Sequence, residues 1–321
     1  MRINTLALLL IYSIIFGITD LNATELSTRV LCIAPETPDL RRYISRQRAT
    51  VETEQKLALA QKLLVRPVDE LALISPSEEA YLARNRPGIV CEQITYQSDG
   101  LTINGFLWYP ASMKLGEKLP LILFNRGGTG DDSKLRANTQ FGFERFVRAG
   151  YIVIGSQYRG NDGSEGLDEI GGDDVHDVNN LLNIARTLKF VDPKNVFALG
   201  YSRGAMMTLS AVRDGSHFNA VALVGLPADL RKRKDRPDAE LINRSSITFI
   251  DKLNVPILLL QGSADPFVST SESTLPFAGE LQKKMHAYEL VIYNGDTHGI
   301  VFNSEDKDRR ILDWFKRFYI N

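Results

Sequence analysis

Residues 195–205 read NVFALGYSRGA, and they give the strongest signal for the fold of the chain. Residues 195–199 are apolar enough for a buried strand, and residues 205–212 favour a helix. Between them, GYSRG at 200–204 fits the pattern G-x-S-x-G, in which a strand turns sharply into a helix and lifts a serine hydroxyl above the strand end. Flanking glycines relieve the clashes of so tight a turn. A glycine-rich turn without a chemical role also fits the pattern, but the strand before it and the helix after it favour Ser202 as a nucleophile.

Strands and helices alternate on both sides of this stretch, which predicts an α/β fold with a mostly parallel central sheet and helices on both faces. Residues 93–96 and 101–109 predict a hairpin. Further strands are expected at 119–124, 151–156, 220–224, 256–260 and 288–293, and helices at 141–149, 173–189 and 306–319. We assign residues 91–321 to this domain. The basic run at 231–234 is interpreted as a solvated face.

The segment before this domain, residues 24–90, is predicted to be a short helical arm. Residues 50–64 are rich in good helix formers, and a second helical patch covers residues 77–84. Residues 1–23 combine a positive end at Arg2 with an apolar run from Leu6 to Ile18 and small or polar residues after it. This is the pattern of a cleaved signal peptide, and the run is short for the alternative, a membrane anchor. We therefore expect an exported protein, periplasmic or secreted.

The composition excludes several classes of protein. The 321 residues are 44% hydrophobic and 24% charged, as in a soluble globular protein. With 38 basic against 39 acidic side chains, the net charge of −1 gives no overall attraction to nucleic acid.

The chain has two cysteines, Cys32 and Cys91. In an exported protein an even number favours a disulfide, and two buried thiols are the alternative.

A serine nucleophile needs a base and an orienting acid, and the loops after two later strands offer both. His298 follows the last strand beside Gly299, where ligands bind in open α/β sheets, and it comes after Ser202 in the chain. Asp265 follows the penultimate strand and lies between the two in sequence. Asp296 and Asp229 are the competing acids. The sequence therefore predicts a triad of Ser202, Asp265 and His298.

Two backbone amides are expected to hold the oxyanion of the intermediate. One belongs to Arg203, directly after the serine. The other belongs to the loop NRGGTG at 125–130, where Gly128 is the favoured donor and Gly127 the alternative. No Lys-Ser/Thr pair follows these glycines, so they do not resemble a phosphate-binding loop.

A cluster of possible metal ligands is weaker evidence for a functional site than the predicted triad. The cluster consists of Asp173, Asp174, His176 and Asp177, which share one helical turn and point in different directions. Acidic residues in a first turn are explained by the helix dipole. We predict neither a metal nor a cofactor.

The order and spacing of these motifs resemble the catalytic domain of prolyl-oligopeptidase-type serine peptidases, which have the α/β-hydrolase fold. The resemblance covers residues 93–319 and implies the same triad, with Gly128 and Arg203 as the oxyanion donors. Family members often carry a propeller domain where this sequence has a helical arm, and their usual His-Gly-Gly is replaced by Arg126-Gly127-Gly128. The blocks that carry the resemblance are 126–128, 158–163, 171–178, 200–204, 262–266 and 295–299.

The resemblance implies a serine hydrolase that cleaves an amide or ester bond through an acyl-enzyme. A serine peptidase acting on short peptides is the first expectation, and a carboxylesterase acting on small-molecule or carbohydrate esters is the alternative. A hydrolase-fold binding protein without activity is a third, although no triad residue is missing. The expected partner is a small-molecule or short-peptide substrate. No nucleic acid and no stable membrane insertion after signal removal are expected.

Overall fold

One sheet organises the chain in the computed structural model, which describes residues 25–33, 39–71, 81, 88–130 and 132–321. The predicted signal peptide at 1–23 lies outside the described residues, as does the predicted helix at 77–84 except for Tyr81. The sheet has nine strands in the described chain: β1 Thr28–Leu31, β2 Ile89–Ser98, β3 Leu101–Pro110, β4 Leu119–Asn125, β5 Ile152–Ser156, β6 Val191–Tyr201, β7 Val221–Val224, β8 Ile257–Gly262 and β9 Tyr288–Tyr293.

Helices connect most of the later strands and cover both faces of the sheet. In the described chain they are α1 Leu40–Ala60, α2 Gln140–Arg148, α3 Asp174–Thr187, α4 Arg203–Arg213, α5 Asp238–Arg244, α6 Leu275–Lys283 and α7 Ser304–Arg317. The strand order is β1-β2-β3-β5-β4-β6-β7-β8-β9. Pairing is antiparallel from β1 through β3 to β5 and parallel among β4 to β9.

The order of the strands places the candidate site. Strands β4 and β6 are parallel neighbours, with Asn125 opposite Gly200, so the loops that follow them leave the sheet side by side. Strands β7, β8 and β9 continue in the same direction, and their loops open at the same edge. In open α/β sheets ligands bind at this edge, outside the carboxyl ends of the strands.

Apolar residues form a separate core on each face of the sheet. On one face Val175, Val178 and Leu181 of α3 pack with Leu209 of α4. On the other face aromatic residues of α2 and α7 pack against the strands. The helical spacing predicted for α3 is confirmed, because its apolar stripe is buried. The predicted α/β fold with helices on both faces is therefore correct.

The secondary structure of the arm differs from the prediction. The arm was expected to be helical, but it contributes the strand β1, which pairs with β2. Strand β2 begins at Ile89, before the expected domain boundary at 91. Helix α1 begins at Leu40 instead of 50, because Asp39 accepts a hydrogen bond from the Arg42 N–H at 2.9 Å and caps it. The structure joins Cys32 and Cys91 by a disulfide, which ties the arm to β2.

No helix among the described residues combines the length and the apolar character needed to cross a bilayer.

Candidate active site

Ser202 lies at the turn between β6 and α4 in a conformation that side chains rarely adopt. Its φ is 52° and its ψ is −121°. The Ser202 N–H donates to the Val224 carbonyl of β7 at 2.8 Å, which fixes the turn against the neighbouring strand. A strained turn of this kind is what the G-x-S-x-G pattern predicts for an exposed nucleophile.

The two glycines beside this turn are required by space. A Cβ on Gly204 would lie 1.9 Å from the Asn125 carbonyl oxygen of β4. A Cβ on Gly200 would lie 2.6 Å from the Ala205 Cα. Any larger residue at either position would push the first turn of α4 away from the sheet and displace Ser202.

His298 and Asp265 meet on the loops after β9 and β8. His298 Nδ1 lies 2.6 Å from Asp265 Oδ2. Asp265 is buried, and its other oxygen, Oδ1, accepts the N–H groups of Phe267 and Val268 at 2.9 Å each. Gln261 Nε2 donates to Oδ2 at 3.0 Å. The carboxylate is thus fixed by three donors besides the ring, and Nδ1 of the imidazole is engaged.

The two competing acids face other partners. Asp296 is buried and accepts the Phe302 N–H at 3.0 Å and Asn303 Nδ2 at 2.5 Å, so it fixes the start of the segment that leads into α7. Asp229 is paired with Arg231 at 2.7 Å near the surface. Geometry therefore favours Asp265 as the partner of His298.

Ser202 and His298 line one cavity of about 990 Å³ at the carboxyl edge of the sheet. Gly225, after β7, allows the ring to approach, because a Cβ there would lie 2.7 Å from His298 Cε1. No hydrogen bond joins the Ser202 hydroxyl to the ring in the described part of the chain. Such bonds are often long without substrate and tighten in the complex. Gly225 was not identified from the sequence. Its position directly after β7 is the signal that could have identified it.

The pKa of His298 is raised above its ordinary value of 6.5. Burial opposes the charged imidazolium, but the hydrogen bond and charge of Asp265 outweigh it, and Glu54 adds to the effect. A base with this environment stabilises the proton that it takes from a nucleophile.

The predicted oxyanion donors lie beside Ser202. Gly127 and Gly128 line the cavity, and a Cβ on Gly127 would lie 3.3 Å from the Ser202 Cβ. Gly128 has a φ of 65°, and a Cβ there would lie 2.5 Å from the Asp132 carbonyl oxygen. Its N–H makes no hydrogen bond within the described structure. Arg203 is the first residue of α4, so its N–H has no intrahelical acceptor. Both amides are therefore available to a ligand.

Helix α1 of the arm forms one wall of the cavity, through Ala49, Thr50, Thr53 and Glu54. Two hydrogen bonds hold the arm over the loops of the site, and a third, within the arm, joins α1 to Arg66. Gln55 Nε2 donates to the Arg66 carbonyl at 2.7 Å, the Arg66 N–H to the Gly295 carbonyl at 3.2 Å, and Gln61 Nε2 to the Pro266 carbonyl at 2.9 Å. Sequence reasoning missed this contribution, because the arm and the loops are far apart in the chain.

The suspected metal ligands on α3 point to different partners. Asp174 is paired with Arg203, Asp177 with Arg159, and His176 with Asp99. Within the described ranges, no group of three or more His, Cys, Asp or Glu side chains could hold a metal ion.

The chain is similar to proteins of a known family. The sequence profile of the prolyl oligopeptidase family matches residues 138–319. An uncharacterized Bacillus subtilis peptidase, YtmA, is 26% identical over 247 residues, which cover 70% of this chain and 92% of that protein.

Two solved structures share the fold. The Pyrococcus horikoshii acylaminoacyl peptidase has a TM-score of 0.63 and 17% identity, and the match covers 77% of this chain but only 45% of that one. A thermophilic esterase from the Planctomycetes species Thermogutta terrifontis has a TM-score of 0.57 and 23% identity, and the match covers 71% of this chain and 93% of that one. The architecture is the α/β-hydrolase fold.

Proposed function

This chain belongs to the prolyl oligopeptidase family and is a serine hydrolase, and we propose that Ser202, His298 and Asp265 form its catalytic triad. One arrangement supports this assignment above all others. A serine at a strained strand–helix turn lines the same cavity as a histidine that a buried aspartate holds at 2.6 Å. These are the roles of nucleophile, base and orienting acid.

The mechanism follows from which atoms remain available. Because Nδ1 of His298 is engaged by Asp265, Nε2 accepts the proton of the Ser202 hydroxyl as its oxygen bonds to the substrate carbonyl carbon. The N–H groups of Gly128 and Arg203 stabilise the oxyanion. Nε2–H then protonates the leaving amine or alcohol as its bond to the carbonyl carbon breaks. Water attacks the acyl-enzyme by the same route and releases the acid and free Ser202.

Short peptides are the proposed substrates. The family and the peptidase relative YtmA support a peptide bond as the target. A cavity of about 990 Å³ is at the upper end of the range for small-ligand sites, and α1 bounds it on one side. A long folded chain would have to displace this helix, whereas a short peptide would not.

Glu54 gives the site a preference for charge. Its carboxylate lines the cavity, is partly exposed, and forms no ion pair within the described residues. Its carboxylate accepts a long hydrogen bond of 3.5 Å from the Gly299 N–H. A substrate cation beside Glu54 would gain a charge-assisted hydrogen bond. We therefore expect peptides with a free amino group to be preferred over N-acylated ones.

A carboxylesterase is the second candidate. The esterase from Thermogutta terrifontis is matched over 93% of its length, so the match leaves little of that esterase outside the shared fold. Esters and amides share the acyl-enzyme chemistry and differ in the pocket that receives them.

Covalent labelling tests the triad assignment. A fluorophosphonate probe should label the wild-type protein, and Ser202→Ala should abolish the labelling. Ser133→Ala is the matched control, because Ser133 also lines the cavity and should not be needed. A folded wild-type protein that the probe does not label, or a Ser202→Ala variant that it still labels, would refute the proposal.

A paired substrate panel tests the specificity. We expect turnover of aminoacyl p-nitroanilides with a free amino group, weaker turnover of their N-acetylated forms, and loss of this preference in Glu54→Gln. Turnover of p-nitrophenyl esters alone would assign the protein to the carboxylesterases instead.

The proposed location is outside the cytoplasm. The disulfide between Cys32 and Cys91 supports it, because disulfides persist in oxidising compartments. Fractionation of the native host should recover the protein, with the apolar run at 6–18 removed, in the periplasmic or secreted fraction. Recovery of the intact chain from the cytoplasm would contradict export.

A further inference from the structure

Arg126 begins the loop that follows β4, and its side chain is almost completely buried, with 1% exposed. It forms no ion pair with any carboxylate in the described structure. Instead, its guanidinium donates to four backbone carbonyls. These are Gly127 at 3.1 Å, Asp132 at 3.0 Å, Gln157 at 3.0 Å and Gly130 at 3.4 Å. Three of the four belong to the loop at 126–132, which carries the proposed oxyanion donor.

Arg203 holds the next carbonyl of the same loop. Its Nη1 donates to the Gly128 oxygen at 3.0 Å, and its Nη2 lies 2.6 Å from Asp168 Oδ1. Asp174, which is fully buried, pairs with the same guanidinium. The side chain of the residue that follows the nucleophile therefore contacts the loop beside the nucleophile.

Tyr158 fixes the two guanidinium groups relative to one another. The ring centroid lies 5.3 Å from Arg126 Cζ and 4.8 Å from Arg203 Cζ. The Tyr158 hydroxyl donates to the Arg126 carbonyl at 3.1 Å. Contact with the Tyr158 ring keeps the planar guanidinium group of each arginine in one orientation.

The direction of the amides follows from the planarity of the peptide group. In a trans peptide the C=O and the next N–H point to opposite sides. Because Arg126 binds the Gly127 carbonyl, the Gly128 N–H must point away from that guanidinium. Arg203 fixes the following peptide through the Gly128 carbonyl. We infer that Arg126 and Arg203 are positioning residues that orient the Gly128 N–H toward the oxyanion.

This inference rests on the proposed function, and it gives a reason for keeping a buried arginine without a counter-ion. Burying an unpaired charge is unfavourable, so a stability role alone would favour a neutral side chain. An ammonium group is a point charge, whereas guanidinium has donors in a planar fork. Lysine at 126 would keep the charge and lose most of the four carbonyl contacts.

Steady-state kinetics of Arg126→Lys tests the inference. We expect kcat to fall about 10-fold to 100-fold with KM nearly unchanged, which is less than the ~10²-fold to 10³-fold loss on removing an oxyanion donor, because here the donor is misplaced and not removed. The inhibition constant of a peptide aldehyde, which binds as a tetrahedral adduct, should rise in proportion. Arg203→Lys should act in the same direction. An end-point titration with the fluorophosphonate counts the folded active sites. Because kcat is then calculated per active site, a loss of folded protein does not lower it.

Arg186→Lys is the matched control. Arg186 is only partly buried, but like Arg126 it donates to a backbone carbonyl, that of His217, and it does not line the cavity. The Arg186→Lys variant should keep the wild-type kcat and the wild-type inhibition constant of the peptide aldehyde.

Wild-type kcat in Arg126→Lys, or a change confined to KM or thermal stability, would overturn the positioning role. A wild-type protein that turns over no substrate and resists the probe would refute the proposed function instead.

Discussion

The side chain of Asp265 holds His298 by one oxygen and is itself held by the other. Oδ2 lies 2.6 Å from the imidazole Nδ1, while Oδ1 accepts the N–H groups of Phe267 and Val268. A carboxylate fixed in this way cannot rotate without breaking several hydrogen bonds. It therefore determines which ring nitrogen is left to act as the base.

Asp265→Asn should lower kcat by about 10³-fold to 10⁴-fold, because an amide at this position favours the wrong tautomer of the imidazole. KM should change little. Asp296→Asn is the control, since Asp296 is equally buried on the neighbouring loop but binds Phe302 and Asn303. That variant should melt at a lower temperature and keep kcat within a few-fold. Equal losses of kcat in both variants would contradict the assignment of Asp265.

The pH dependence of kcat/KM should report the titration of His298. Only the neutral ring accepts a proton, and its pKa is raised above 6.5, so activity should increase with pH with a midpoint above that value. Glu54→Gln removes a negative charge that favours the imidazolium, so the midpoint should move to lower pH. Glu52→Gln is the control on the same helix, because Glu52 is paired with Arg48. A midpoint that stays in place or rises in Glu54→Gln would contradict this reading.

Two helical glycines should respond oppositely to alanine. Gly204→Ala places a Cβ 1.9 Å from the Asn125 oxygen and should destabilise the fold by about 3 kcal/mol or more. Gly279 in α6 has open space around it, so Gly279→Ala should stabilise the protein by about 0.5–1 kcal/mol. Urea unfolding of both variants measures the difference. A stable, active Gly204→Ala protein would show that the turn around Ser202 is not tightly packed.

The disulfide between Cys32 and Cys91 should contribute to stability through the chain that it closes, a sequence separation of 59. Replacing both residues by serine should reduce the free energy of unfolding by about 2–5 kcal/mol. A reductant should destabilise the wild-type protein by a similar amount and leave the double variant unchanged. If reductant lowers the stability of both proteins alike, the effect does not come from this bond.

Much of the fold was predictable because it follows local periodicity. The last strand, Tyr288–Tyr293, has the predicted bounds, and the other predicted strands of the parallel part differ only at their ends. Buried parallel strands read as apolar runs, and amphipathic helices repeat every three or four residues. Helices α5 and α6 were not among the predicted helices, and both are short, with seven and nine residues.

Strand β1 could not be predicted from its own residues. All of its residues are exposed, so no alternation of buried and exposed positions marks it as a strand. Pairing with β2, far along the chain, makes it one.

The alternation of strands and helices, the turn that carries Ser202, and the chain order of serine, acid and histidine could all be predicted from the sequence. Those features depend on neighbouring residues, which the sequence displays directly. Three contacts emerged only from the packed structure: Asp265 rather than Asp296 faces His298, α1 forms a wall of the cavity with Glu54, and Arg126 binds the carbonyls of its own loop. Each of these contacts joins segments that are distant in sequence and that sheet pairing and core packing bring together. The spacing of residues along the chain does not reveal which distant segments come into contact.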